Sequence, residues 1–165
     1  MPNKIQVAKG DQVIPIILKV PTSHNQFGSV LDCINGSLVD RGLTAHFFRI
    51  TMSAADLFEI YSHLSQEILT AQIAQFADKE IGSWIVTGRN AIAKVTEMKG
   101  SENDPRLCSP SSWRRRLSVI LGFRQIELIS TNGRPLLTMF DNYIHAPKRA
   151  EIDLNLRFFR RQGHI

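Results

Sequence analysis

Residues 54–77 run without a Gly or Pro, and Leu57, Ile60, Tyr61, Leu64, Ile68 and Ala71 recur at three- and four-residue steps. Leu69, Ile73 and Phe76 widen that apolar stripe. The period is that of a helix with one face in a core, so the pattern predicts one long amphipathic helix over 54–77. Ser53, followed three residues later by Asp56, supplies a capping-box start. A helix of this kind must lay its apolar face on something, and the β-rich segments around it offer a sheet.

Those segments are readable by their alternation and their turns. Residues 13–20 (VIPIILKV) form a β-rich apolar run; Pro15 removes a ladder donor and predicts an edge strand, and Pro21 ends it. Residues 22–42 are rich in turn residues, with room for a short helix or hairpin near 30–34. Residues 45–51 alternate as a strand. A second strand at 83–87 followed by Gly88, Arg89 and Asn90 predicts a hairpin with 91–99, a helix over 90–98 being the competing reading. Residues 100–112 read as a loop. Ser111 or Ser112 can cap a short helix in which Trp113, Leu117, Ile120 and Leu121 share a face, ended by Gly122 and leaving Arg114, Arg115 and Arg116 mostly outside. Strands at 124–130 and 134–140 flank Asn132-Gly133, and residues 152–160 alternate as a terminal strand. Together these predict a single α+β domain spanning 1–165, its long helix packed on an antiparallel sheet built from hairpins.

Composition fits a folded chain: of 165 residues, 43% are hydrophobic and 21% charged. The charge is unevenly spread. Residues 1–105 hold 9 Lys and Arg against 11 Asp and Glu, whereas residues 106–165 hold 11 against 4, and of those 11 only Lys148 is not arginine. Guanidinium groups grip phosphate bidentately and stack on bases, so an arginine-rich half points to nucleic acid or another polyanion. The candidate contact residues are Arg114, Arg115, Arg116, Arg124, Arg134, Lys148, Arg149, Arg157, Arg160 and Arg161, interleaved with Trp113, Phe123, Tyr143 and Phe159.

The stretch Phe47-Phe48-Arg49-Ile50-Thr51-Met52-Ser53, with Leu57 and Ile60 beyond it, is similar to the strand-then-helix opening of ribbon-helix-helix DNA-binding proteins. The resemblance covers about fifteen residues. It departs from that family in lacking a break after the first helix, and it implies Arg49 and Thr51 as groove-facing residues. A nuclease reading rests on Asp78, Glu97 and Lys99, an acid and an acid-x-Lys order that could hold a divalent cation on a strand. Cys33 and Cys108 lack metal or disulfide spacing, the five histidines show no paired ligand spacing, and no nucleophile elbow or glycine-rich phosphate loop is present. No cofactor is called for.

With no signal-peptide core in residues 1–10 and no membrane-length apolar run, the expected protein is cytoplasmic. Its expected function is a non-enzymatic, DNA-binding or transcription-regulatory protein of a bacterial or mobile-element type, able to form a homo-oligomer. A protein-protein interaction module built from the long helix and the Pro15 edge strand, as an inhibitor or assembly subunit, is the alternative. The metal-dependent nuclease is the second alternative.

Overall fold

The computed structural model describes residues 5–62, 64–100, 105–121, 129–130 and 144–145. Its elements run β1 (Ile5–Gln6), β2 (Gln12–Pro21), α1 (Phe27–Asp40), β3 (Thr44–Thr51), α2 (Ala54–Ile60), α3 (Gln66–Phe76), β4 (Glu80–Gly88), α4 (Ala91–Lys99), a 3-10 turn (Pro105–Leu107), α5 (Trp113–Leu121), β5 (Ile129–Ser130) and β6 (Ile144–His145). Four strands form one antiparallel sheet in the order β3-β4-β2-β5, and β1 pairs in parallel with β6.

The sheet is α+β and antiparallel, as expected, but it is not built from hairpins. Strand β2 pairs with β4, Gln12 opposite Gly88, and with β5, Ile17 opposite Ser130. Because β4 runs against both β2 and β3, those two are parallel to each other and joined by α1; β4 and β5 are related in the same way through α4 and α5. This is the interleaved split-βαβ arrangement of ferredoxin-like folds. Strand β2 is therefore interior, and the edge position expected from Pro15 is wrong. Pro15 stands opposite Ile85 of β4, and the described pairing of β2 with β5 is at Ile17 and Leu18.

The long helix is two helices. Ser53 accepts from the Asp56 amide and Asp56 accepts in return, closing the capping box, and α2 then stops at Tyr61. Ser65 opens α3 by accepting from the Ile68 amide at 3.3 Å. The apolar period runs unbroken across the joint because both helices feed one core, through Leu57 and Ile60 on α2 and Leu69 and Phe76 on α3. Ile68, counted in the stripe, is 49% exposed.

Residues 22–42 hold a full helix. Phe27, Val30, Ile34 and Leu38 are its buried stripe, and Asn35, which looked like a turn residue, accepts from Trp84 Nε1 at 2.7 Å. The hairpin expected over 83–99 is corrected too: β4 is a strand, but Ala91–Lys99 is α4, with Ala91, Val95 and Met98 buried at helical spacing. Among the described residues, no helix is long and apolar enough to cross a membrane.

The sheet's register decides which face meets which helix. Ile16, Trp84 and Phe47 are cross-strand neighbours on one face. There Phe47 meets Phe27 of α1 at 6.2 Å and Trp84 at 5.1 Å between ring centroids, while Gly82 leaves room for the rings. Helix α1 covers this face. Helix α4 sits beside it, Lys94 Nζ donating to the Arg41 carbonyl and Arg41 pairing with Glu97, and α5 joins through Arg116 Nη1 donating to Ser37 Oγ.

Candidate functional site

The most unusual group in the sheet is Lys19. Its strand is buried from Val13 through Val20, and Lys19 itself is only 3% exposed. The register between β2 and β4 slips between Leu18, opposite Gly82, and Pro21, opposite Ile81, so Lys19 and Val20 form a bulge in an interior strand. Bulges of this kind re-aim side chains and are common beside functional sites. Here the re-aimed chain ends under the α2–α3 joint: Nζ donates to Gln72 Oε1 of α3 at 2.9 Å and lies 4.6 Å from the Tyr61 ring centroid. Tyr61 is buried at the end of α2, where its amide donates to the Leu57 carbonyl. The joint that breaks the expected long helix is thus what brings Tyr61 and Gln72 together over the lysine.

A buried ammonium is costly unless it is hydrogen-bonded or paired. A cation over a desolvated ring gains roughly 2 kcal/mol, and a hydrogen bond to a charged group about 1.5–3 kcal/mol. The bond to Gln72 and the contact with the Tyr61 ring are two of the contacts that hold Lys19 in this place.

A second pair of cations lies at the α4–α5 junction. Lys99 is held below the usual lysine range, first by burial and then by the charge of Arg114. Arg114 is 8% exposed, on the buried side of α5 with Trp113, Leu117, Ser118 and Leu121. Ser112 caps that helix by accepting from the Arg115 amide, as expected. Trp113 Nε1 is buried with no hydrogen-bond partner among the described residues.

The sequence-selected arginines do not share a surface in the part described. Arg114 points inward, Arg115 is half-buried with Nη1 donating to the Arg106 carbonyl at 2.7 Å, and Arg116 is exposed against Ser37. Consecutive helical residues project about 100° apart, so three adjacent arginines cannot all face one ligand. The expectation that they lie mostly outside fails for Arg114, whose helix buries two adjacent columns of residues. Arg124, Arg134, Lys148, Arg149, Arg157, Arg160 and Arg161 lie outside the described residues, as do the strands expected at 134–140 and 152–160.

The nuclease constellation dissolves. Asp78 occupies a left-handed turn with φ of 62° and donates its amide to the Met52 carbonyl, while Glu97 and Lys99 lie on α4 rather than on a strand. Glu97 pairs with Arg41 at 3.4 Å. No group of three His, Cys, Asp or Glu suited to a metal occurs among the described residues. Cys33 is half-buried, its thiol pushed up by burial against the opposing charge of Arg116; Cys108 is a buried thiol, and neither is in a disulfide among the described residues.

The fold and site define a split-βαβ α+β protein with a buried lysine beneath a helical joint. No family model matches the chain, and no curated protein does. Solved structures do. The chain is similar to a nucleoside-diphosphate kinase from Borrelia burgdorferi, solved with vanadate and ADP as a transition-state mimic: the TM-score is 0.62 at 17% identity, over 87% of this chain and 96% of that one. It is similar to the nucleoside diphosphate kinase of Aquifex aeolicus, at 0.52 and 17%, over 64% and 76% of the two chains. It is also similar to that of Halobacterium salinarum, in complex with CDP, at 0.51 and 16%, over 62% and 66%. At these identities the shared property is the fold.

That fold overturns the expectation of a non-enzymatic, transcription-regulatory DNA-binding protein, because the neighbours are nucleotide-handling enzymes. The ribbon-helix-helix likeness goes with it: β3, with Arg49 and Thr51, pairs with β4 of its own chain, and Arg49 faces Glu80 at 3.6 Å. The interaction module loses both of its parts, since β2 is interior and the long helix is two.

Proposed function

We propose that this chain is a nucleotide-binding phosphotransferase, with the Lys19 ammonium contacting the phosphates of a nucleoside di- or triphosphate. The observation that carries this reading is the buried lysine on the bulge of β2, beneath Tyr61 and Gln72, within a fold whose neighbours were solved with ADP and vanadate or with CDP. Phosphoryl transfer asks little covalent chemistry of a protein and much positioning and charge compensation. A lysine acts there as a point charge on phosphate oxygens.

Transfer in two half-reactions requires a nucleophilic side chain, and histidine is one that forms such intermediates. Among the histidines described, His24 accepts from the Gln26 amide, and His46 lies on β3, separated from β2 by β4. His145, on β6 beside β1, is the histidine we put to the test. An assembly of several copies belongs to the same proposal and is read from the mass of the protein in solution.

The test is transfer of the terminal phosphoryl group from ATP to a nucleoside diphosphate in the presence of Mg²⁺, beside calorimetric binding of ADP. The expected result is ADP binding and transfer, with Lys19→Met lowering kcat/KM by about 10² or more while the melting profile persists. His145→Gln is expected to abolish the two-step exchange. No ADP binding at millimolar concentration together with no transfer overturns the proposal.

A further inference from the structure

We propose that Gln72 is the positioning residue for Lys19: its carboxamide oxygen holds the ammonium at the place where a phosphate oxygen is to be received. The inference rests on the reading of the Lys19 site as a polyphosphate site, and it concerns a residue 53 positions away in the chain.

Three observations carry it. First, the contact is direct, with Nζ donating to Oε1 at 2.9 Å across the sheet-to-helix boundary. A flexible four-carbon stem gains a fixed end from that bond, which offsets part of the rotamer freedom that a lysine loses when it is ordered. Second, Gln72 is itself held. It lies between Leu69 and Phe76, the two buried anchors of α3, and is half-buried. The helix is fixed upstream by the Ser65 cap. Third, the chemistry of the side chain suits the task. An ammonium has only donors, so the carboxamide must present its oxygen, and its Nε2 donors remain beside the charge. When an anionic oxygen replaces Oε1 on Lys19, rotation of the amide lets Nε2 donate to the same anion.

The amide is distinguished from its nearest replacements by this balance. A carboxylate at position 72 would add a negative charge beside Lys19 and compete with phosphate. A methionine would fill the space and leave the ammonium without that acceptor. Tyr61 is one titratable group that faces the ammonium from the end of α2, with the ring centroid 4.6 Å from Nζ.

The experiment compares the full-length protein with Gln72→Glu and Gln72→Met, both good helix formers, after confirming that their thermal melts match the parent. Two quantities are read. ADP affinity by calorimetry is expected to fall about tenfold in Gln72→Met and 10²-fold or more in Gln72→Glu, as a rise in KM with kcat far less affected. The Lys19 ammonium is followed by NMR as a function of pH, assigned by its loss in Lys19→Met; its titration midpoint is expected to rise by about one pH unit or more in Gln72→Glu, from the adjacent opposite charge. A merely structural glutamine would not move KM selectively, and the midpoint reports that position 72 stands beside the ammonium. An unmoved midpoint in Gln72→Glu, or ADP affinity equal to the parent's in both variants, overturns the proposal. Should the parent fail to bind ADP at all, the functional reading falls on its own, and the Gln72–Lys19 coupling stands or falls on the NMR midpoint.

Discussion

Among the polar groups that the sheet buries, neutral ones and the lysine are treated differently. On the face covered by α1, Trp84 Nε1 donates to Asn35 Oδ1 at 2.7 Å, and Ser83, the residue before it and so on the opposite face, donates Oγ to the Ile16 carbonyl at 2.8 Å. These are neutral groups joined to neutral partners within the fold. Beneath the α2–α3 joint, Lys19 is buried, and its contacts there include an amide oxygen and a ring. The first arrangement is closed and serves stability. The second engages the lysine proposed above to contact phosphate.

Substitutions on the two sides should separate these roles. The largest effect is expected from Trp84→Ala, which empties a fully buried indole site and strands Asn35: about 3–5 kcal/mol lost in urea denaturation. A smaller loss would place the core's weight elsewhere and break the comparison. Gly82→Ala comes next. The added Cβ would stand 2.9 Å from Phe47 Cε1 and 3.0 Å from Phe27 Cζ, forcing the aromatic stack apart for about 1–3 kcal/mol.

Lys19→Met should act in the opposite sense. Exchanging a buried ammonium for an apolar chain of similar volume is expected to leave stability within about 1 kcal/mol or to raise it, while ADP binding is lost. A stability loss as large as that of Trp84→Ala would make Lys19 a structural residue. The smallest effect belongs to His46, outside both arrangements. Burial lowers its folded-state pKa from the ordinary 6.5, so folding favours the neutral ring. Its contribution is present above the unfolded value and is lost as pH falls through the lowered one. His46→Gln should therefore show a slightly shallower loss of melting temperature between about pH 7 and pH 5 than the parent.

What could be read from the sequence was what is decided locally. The strand before Ser53, the capping box to Asp56 and the Ser112 cap each depend on residues within a few positions, and each is found as expected. The interior place of β2 depends on Gly82–Gly88 and Ile129–Ser130, far along the chain, and Pro15 misled because its local meaning is overridden by that pairing. Helix α4 was ambiguous for a simpler reason: Ala91 and Val95 suit both a two-residue and a helical period, and Met98 decides it. The site left one trace, a lone lysine within the apolar run 13–20. Tyr61 and Gln72 left none, because a cross-layer contact has no sequence period. The arginine bias drew attention to the other half of the chain, where Arg114 belongs to the core.

The interleaving of the strands also has a consequence for the order of events during synthesis. Strand β2 emerges early, yet its partner in β4 lies 60 residues beyond it at Pro21 and Ile81, and 76 beyond at Gln12 and Gly88. At about 5–20 residues per second, the most apolar segment of the chain waits roughly 3–15 s for its first strand neighbour. Through that interval the ammonium of Lys19 and the ring of Pro15 are the two interruptions in a run that would otherwise recruit other chains. The residue proposed to receive phosphate in the finished protein is thus also a gatekeeper for the unfinished one.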